Sequence, residues 1–234
     1  MRMRKKKHSE ERLAACGKYI FSTDFGKVDN DKPIYLEIGA GKGRFACAMA
    51  ERHSEVNYFA MERVSDCVVL AAERAASGEY GELSNLKFVI DTADNLLHIF
   101  ERGSVDAIFL NFSDPWSKKG YAKRRLTHRK YLALYMNLLR DGGVIRFKTD
   151  NVGLFDFSLE EIEAMGLEPR IVTRDLHTSE WNEGNIMTEY EENFSSQGMK
   201  INMLELVKPA GFNPEVLPEF ISKDFFMKEE DESV

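Results

Sequence analysis

Residues 107–119, AIFLNFSDPWSKK, place a carboxylate, a proline and a tryptophan directly after an apolar run, and two lysines follow. The run is nearly continuous from 105 to 112, as in a strand that is covered on both faces. Asp114 therefore stands at the open end of a predicted core strand, beside positive charge. A plain turn around a buried indole would also contain Asp-Pro-Trp. The functional alternative is a site that holds a planar, hydrogen-bonding ring carried on an anionic chain.

A glycine-rich turn, EIGAGKG (37–43), follows the first predicted strand and opens a helix. A phosphate-binding loop would need Ser or Thr at position 43, and a dinucleotide fingerprint would need glycine at position 44. The remaining pattern is an acid, Glu37, followed by Gly39, Gly41 and Gly43. This pattern fits S-adenosyl-L-methionine, whose sulfonium and ammonium groups suit a nearby negative charge. A structural turn with solvated acids is the plain alternative.

Two further strand ends carry polar residues that complete this interpretation. Glu62 ends the second strand, where a carboxylate can accept both ribose hydroxyls of an adenosine. Asp91, Thr92 and Ala93 end the third strand and are expected near the adenine. Beside such a cofactor, the acceptor-only carboxylate of Asp114 could take both N–H donors on one edge of guanine, whereas adenine offers an acceptor there.

Strand and helix patterns alternate five times, which predicts βαβ units with right-handed crossovers. The expected fold is α/β: a doubly wound, mostly parallel seven-stranded sheet with an antiparallel last strand and helices on both faces, as in Rossmann-like folds. A helix over 127–140 is predicted to stop at Asp141-Gly142-Gly143. The last two strands, 167–176 and 200–208, are expected to pair as an antiparallel hairpin at one edge.

Charged residues are unevenly distributed along the 234 residues. The net charge is −7, yet residues 2–7 are nearly all basic, and 118–130 contain seven Lys or Arg and no acid. Because screening limits exposed charges to a reach of about 10 Å, a local patch matters more than the sum. The lysines and arginines expected to contact phosphates are Lys118, Lys119, Lys123, Arg124 and Arg125.

Composition predicts a cytoplasmic protein without a membrane span, a secretory signal or a metal site, and with three reduced cysteines. Three parts are expected: a basic N-terminal extension (1–30), the main domain (31–208) and an acidic, loosely attached C-terminal tail (209–234) with a short helix near 218–227.

The chain resembles the bacterial tRNA (guanine-N7)-methyltransferase family. The resemblance covers about residues 1–208 and rests on MRMRKK, LEIGAGKGRF, LNFSDPWSKK, KRRLTHRKYL, IRFKTDN, LHTSEWNEGNIMTEYEENF and the closing strand. It departs from the family at Ser117, where proline is usual, and at Thr92, where Asp or Asn is common.

The resemblance implies methyl transfer from S-adenosyl-L-methionine to N7 of guanine 46 in the tRNA variable loop, leaving S-adenosyl-L-homocysteine. It implies that Glu37, Glu62 and Asp114 contact the cofactor and that Asp114 is catalytic. The substrate-binding residues that it implies are Lys118, Asp150, Thr188, Glu189, Tyr190 and Glu191. Family members are monomers or homodimers.

Three alternatives stay open at this point. One is a methyltransferase of the same fold that acts on another RNA, a protein or a small molecule. Another is a non-catalytic RNA-binding protein that retains the fold. The third is a nicotinamide-dependent oxidoreductase, which the misplaced third glycine disfavours.

Overall fold

The computed structural model describes residues 8–22, 28 and 32–221. The basic residues 2–7, the acidic end of the chain and the second half of the helix predicted near 218–227 lie outside the described residues.

Seven strands form one mixed sheet in the order β3-β2-β1-β4-β5-β7-β6. The strands from β1 to β5 are parallel, and β7 is antiparallel to both of its neighbours. This confirms the predicted fold and the antiparallel pairing of the last two strands at one edge. The strand bounds are β1 Ile34–Ile38, β2 Asn57–Met61, β3 Leu86–Val89, β4 Val105–Asn111, β5 Leu139–Thr149, β6 Ile171–Thr173 and β7 Asn202–Val207.

Helices cover both faces of the sheet. One apolar cluster packs α4, α5 and α6 against one face, and a second packs α2 and α3 against the other. Within the described part of the chain, no helix is long and apolar enough to cross a membrane. The helix bounds are α1 Ser9–Ala15, α2 Arg44–Arg52, α3 Ser65–Ala76, α4 Leu96–Ile99, α5 Arg129–Leu138, α6 Val152–Glu163 and α7 Glu189–Ser195.

The glycine pair after α5 does not end that helix, contrary to the sequence prediction. The helix ends at Leu138, and β5 begins at the next residue. Gly142 donates its N–H to the carbonyl of Lys208 over 3.0 Å, and the carbonyl of Gly143 accepts from the Lys208 N–H over 2.8 Å. A glycine pair is equally suited to an irregular stretch of strand, where the neighbouring backbone approaches closely. Here it lets β5 pair with the end of β7.

Residues 209–221 are packed against the core rather than loosely attached. Phe220 is fully buried and Val216 is 6% exposed, both within the apolar cluster beneath α5. Asn137 donates from Nδ2 to the carbonyl of Pro214 over 2.8 Å. The sequence predicted a loosely attached tail because this stretch contains prolines, acids and few aromatic residues. In the structure, burial of Val216 and Phe220 is enough to hold it against the core. How the whole chain divides into domains stays a prediction.

The N-terminal stretch also joins the core. Tyr19 is buried, and Ile20 forms a parallel bridge with Phe88 of β3. Arg12 binds Glu73 of α3 with two hydrogen bonds of 2.7 Å each. The described part of the predicted extension therefore packs against the edge of the sheet and α3.

Substitution of Phe220 tests the packing of the C-terminal segment. Phe220→Ala is expected to lower the free energy of unfolding by about 3–5 kcal/mol, because it removes a fully buried ring and leaves a cavity. Leu217→Ala is the matched control: Leu217 is 43% exposed, so a change within about 0.5 kcal/mol is expected. Urea unfolding measures both, and similar small effects for the two variants would contradict the packing.

Candidate active site

A cavity of about 220 Å³ opens at the carboxyl ends of β1 and β4. These adjacent strands lie where the strand order reverses, which is where open α/β sheets bind ligands. The glycine turn forms one wall and the start of α7 faces it. The lining residues are Glu37, Gly39, Ala40, Gly41, Lys42, Gly43, Arg44, Phe45, Asn111, Phe112, Thr188, Glu189 and Tyr190.

The glycine turn depends on backbone angles and on a close approach. Gly39 has a φ of 85°, and its N–H bonds the carbonyl of Met61 over 2.9 Å. A Cβ on Gly43 would lie 2.6 Å from the Cβ of Ala71. Since that distance is shorter than any normal contact, only glycine at position 43 lets α2 begin this close to α3.

Glu62 fastens this turn to the neighbouring strand. Its Oε2 accepts the N–H of Gly41 over 3.1 Å, and its Oε1 accepts the N–H of Val64 over 2.9 Å. Each carboxylate oxygen has a second lone pair, so ribose hydroxyls can still bind there. Glu62 lies outside the cavity lining, and its ribose contact stays a prediction.

Glu37 is a buried acceptor on the cavity wall. Its side chain accepts a hydrogen bond from Asn111 over 3.1 Å through Oε1, while Oε2 has no partner among the described residues. Burial raises the pKa of Glu37 to about 7, opposed by the Asn111 hydrogen bond and the positive charge of Lys148. A buried carboxylate on the cavity wall with unused acceptor capacity fits a ligand that brings an ammonium group.

Asp114 lies on the loop that follows β4, exposed and outside the cavity lining. Its Oδ2 is 4.0 Å from a guanidinium nitrogen of Arg63, the residue after Glu62. Through Arg63, Asp114 contacts the residue that follows Glu62, whose side chain bonds the glycine turn. The contact of Asp114 with the cofactor stays a prediction.

The Asp114 loop has a strained backbone that other residues hold in place. Phe112 and Trp116 both have positive φ, 52° and 41°, which non-glycine residues seldom adopt. Arg125 donates to the carbonyls of Pro115 and Trp116 over 2.9 and 3.1 Å, and its guanidinium lies 4.3 Å from the centre of the Phe157 ring. Arg125 therefore supports the loop, a role that its position in a basic run did not predict.

The other four predicted phosphate contacts face outward. Lys118, Lys119 and Lys123 are exposed. Arg124 is also exposed and lies over the ring of Tyr121 at 4.7 Å. These four side chains remain available for the phosphate contacts that the sequence predicts.

Three of the four residues of the Thr188–Glu191 run line the cavity. Thr188 caps the N-terminus of α7, and its hydroxyl accepts the N–H of Glu191 over 2.9 Å. Glu189 pairs with Arg74 and, at 3.8 Å, with Lys42. The side chain of Glu191, in contrast, is fully buried and points away from solvent on the inner side of α7.

Tyr190 connects α7 to both neighbouring strand ends. Its ring lies 4.9 Å from that of Phe112, and its hydroxyl donates to Asp150 over 3.4 Å. Asp150 therefore does not line the cavity itself, but it bonds Tyr190, which does.

The end of β3 stays apart from the cavity. Asp91 accepts from the Thr92 N–H and from Asn95 through the same oxygen, both over 2.7 Å, and thereby holds the turn at Ala93. The adenine contact of these residues stays a prediction.

Sequence reasoning assigned no role to Asn111 or Lys148, although both stand in the motifs LNFSDPWSKK and IRFKTDN. Asn111 orients Glu37, and Lys148 is a buried cation at the carboxyl end of β5. A signal was present for Lys148, because a lysine within a strand core is buried only when it has a partner. The strand IRFKTD contains such a lysine, yet its partner, Glu191, comes from a distant segment.

Solved structures with similar folds are methyltransferases. The 16S rRNA methyltransferase KamB matches 89% of this chain and 96% of its own, with a TM-score of 0.58 at 11% identity. The 16S rRNA (adenine(1408)-N(1))-methyltransferase of Catenulisporales acidiphilia matches 90% and 96%, with a TM-score of 0.55 at 15% identity. The fold is therefore that of the Rossmann-like methyltransferases.

Sequence relatives make the class more specific. A family model described as "Putative methyltransferase" matches residues 31–204. The tRNA (guanine-N(7)-)-methyltransferase of Clostridioides difficile is 40% identical over 89% of this chain and 99% of its own length. That of Geobacillus sp. is 41% identical over 89% and 96%. The chain belongs to the tRNA (guanine-N7)-methyltransferase family.

The buried carboxyl of Glu37 makes stability depend on pH. The unfolded chain ionises this group near pH 4.5, whereas the folded protein does so near 7. The contribution of Glu37 to the free energy of unfolding of the ligand-free protein should therefore fall by on the order of 3 kcal/mol as pH rises through this window, and then stay level.

Glu37→Gln removes this dependence. Relative to wild type, the variant should gain that amount of stability between pH 4.5 and pH 7 in a series of urea unfolding curves without ligand. A stability difference that is constant with pH would contradict the buried, neutral carboxyl.

Proposed function

We propose that this protein transfers the methyl group of S-adenosyl-L-methionine to N7 of a guanine in tRNA, at position 46 of the variable loop. Most support comes from full-length relatives named for this reaction, at 40–41% identity over 96–99% of their length. Further support comes from Glu37 beside the glycine turn, a buried carboxyl with unused acceptor capacity that suits the ammonium group of S-adenosyl-L-methionine.

S-adenosyl-L-methionine, when bound, supplies an electrophilic methyl group on a positively charged sulfur. In this chain, Glu37 would hold the cofactor's ammonium group, which would supply a further hydrogen-bond donor to that buried carboxylate. The glycine turn permits close approach of the ligand to the backbone, and Glu62 offers its remaining lone pairs to the ribose. Cofactor binding thereby favours the ionised form of Glu37.

Asp114 orients the base. Guanine N7 carries a free lone pair at neutral pH, so no residue has to remove a proton. Most of the acceleration then comes from holding nucleophile and methyl group in line. The Asp114 carboxylate accepts N1–H and N2–H on the opposite edge and places negative charge near a base that becomes cationic. Its contact with Arg63 is solvent-exposed and long, so a base can replace it at low cost.

The exposed lysines and Arg124 bind phosphates around the variable loop. The guanine has to leave its stack to enter the site, which costs less in a loop than in a helix. The aromatic pair of Phe112 and Tyr190 stands at the cavity wall, where a displaced base can pack on it.

We infer that the protein acts in the cytoplasm, where tRNA is modified, as a monomer or a homodimer. Light scattering coupled to size exclusion distinguishes the two states.

Asp114→Ala tests the catalytic assignment. The variant should lower kcat by about 10²–10³-fold, because it removes both the orienting bonds and the stabilising charge. Radiolabelled methyl transfer to unmodified tRNA measures this, and calorimetry should show that S-adenosyl-L-methionine still binds. Asp156→Ala is the control, since it removes another exposed, ion-paired acid on α6 and should retain wild-type turnover. Wild-type kcat in Asp114→Ala would refute the role.

Arg124 and Arg125 should respond differently to substitution. Arg124→Ala removes an exposed phosphate contact, so the slope of log K for tRNA against log salt should become shallower by about 0.7–0.9. Arg125→Ala releases the Asp114 loop, so kcat should fall while the salt slope stays near wild type. Fluorescence anisotropy over a KCl series measures the slopes, and equal slopes for Arg124→Ala and wild type would contradict the phosphate contact.

A further inference from the structure

Lys148 is a lysine in the interior of the protein. Its side chain is 3% exposed, at the carboxyl end of β5. Its Nζ donates to Glu191 over 2.5 Å, to the carbonyl of Ile186 over 2.9 Å and to Asn185 over 3.2 Å. A buried ammonium is stable only with such a complete set of acceptors, and Glu191 supplies the neutralising charge.

Glu191 is equally enclosed. Its side chain is fully buried, and its carboxylate accepts from three side chains. Oε2 accepts from Lys148, and Oε1 accepts from Asn185 over 2.8 Å and faces His177 Nε2 at 2.9 Å. Nearly all of its acceptor capacity is used inside the protein. Movement of the carboxylate toward a base in the cavity would leave Lys148 charged, buried and without an anion.

The pair connects both walls of the cavity. Glu191 belongs to the first turn of α7, whose other residues, Thr188 to Tyr190, line the cavity. On the other side, Lys148 is the register partner of Asn111, which holds Glu37. Asn111, which bonds Glu37, therefore lies next to Lys148 on the neighbouring strand, and Lys148 in turn bonds Glu191 of the helix that faces the glycine turn.

We propose that Lys148 and Glu191 are a positioning pair that holds the first turn of α7 over the cavity, and that Glu191 acts through Lys148, His177 and Asn185 rather than by contacting the guanine. The inference rests on the proposed function, because it assigns how the substrate wall of that same site is built. It moves Glu191 from the substrate-contacting residues, where the resemblance places it, to the residues that position Tyr190 and Glu189.

A loosened α7 should raise the KM for tRNA. The apparent affinity of a site falls by the fraction of molecules in the competent arrangement. The chemistry depends on Asp114 and on the in-line geometry, so kcat should change less than KM when the support of α7 is weakened.

A double-substitution cycle separates positioning from direct contact. The four proteins are wild type, Lys148→Met, Glu191→Gln and Lys148→Met/Glu191→Gln, assayed for kcat and KM with tRNA at saturating cofactor. Glu191→Gln leaves the Lys148 charge uncompensated, whereas the double variant removes both charges. If the residues act as a pair, the double variant should recover about tenfold or more in kcat/KM over Glu191→Gln, in line with strongly coupled neighbours.

A direct contact between Glu191 and guanine predicts another result. Loss of Lys148 cannot restore a lost substrate contact, so the double variant would be no better than Glu191→Gln. That outcome would overturn the proposal.

His177 provides a test that spares the buried pair. Its side chain is 22% exposed, so substitutions there should leave the fold intact. His177→Ala should raise the KM for tRNA about tenfold, since it removes a hydrogen bond to a charged group. His177→Gln retains a side-chain donor and should recover most of that loss. An unchanged KM in His177→Ala, or an equal loss in both variants, would overturn the proposal.

The proposed function is checked separately by the wild-type protein. Absence of methyl transfer to tRNA by wild type would reject that function. In that case, calorimetry would measure the affinity of the same four proteins for S-adenosyl-L-methionine, because the start of α7 lines the same cavity. Recovery of this affinity in the double variant over Glu191→Gln would support the positioning pair, and no recovery would overturn it.

Discussion

The site is built around two buried ionisable groups at the carboxyl ends of the central strands. Glu37 on β1 and Lys148 on β5 are both enclosed, and each needs a partner. Lys148 has its partner in Glu191, which brings α7 onto the sheet. Glu37 accepts a hydrogen bond from Asn111 through one oxygen, and its other oxygen has no partner among the described residues. The paired group therefore joins α7 to the sheet, whereas the incompletely bonded group lies on the cavity wall.

The fold was accessible from sequence because its signals are local and repeated. Near-continuous apolar strands alternating with amphipathic helices allow few arrangements, and the glycine turn marks the ligand edge. The prediction that the glycine pair at 142–143 ends a helix was wrong, because glycine is favoured both after helix ends and in irregular stretches of strand. The packing of Phe220 could not be foreseen, since a single aromatic residue near the terminus carries no periodic signal.

The site was accessible only in part, and the reason is that exposure is a tertiary property. Arg124 and Arg125 are neighbours of one type in one basic run, yet one faces solvent and the other holds the loop. The same applies to Tyr190 and Glu191, of which one lines the cavity and the other lies beneath the helix. A resemblance to a motif predicts a function for the whole run of residues. Only the packing in the folded protein shows which residue of the run is exposed and which is buried.

Two segments beside the cavity, the Asp114 loop and the segment leading to α7, are each held in place by a basic side chain. Arg125 holds the first through backbone carbonyls, and Lys148 holds the second through Glu191. They meet where the rings of Phe112 and Tyr190 lie 4.9 Å apart. A reaction at guanine N7 needs no proton removed, so its rate depends on where base and methyl group are held. Such a reaction requires both segments to be held rigidly, which is consistent with buried or partly buried hydrogen-bonded side chains next to residues that line the cavity.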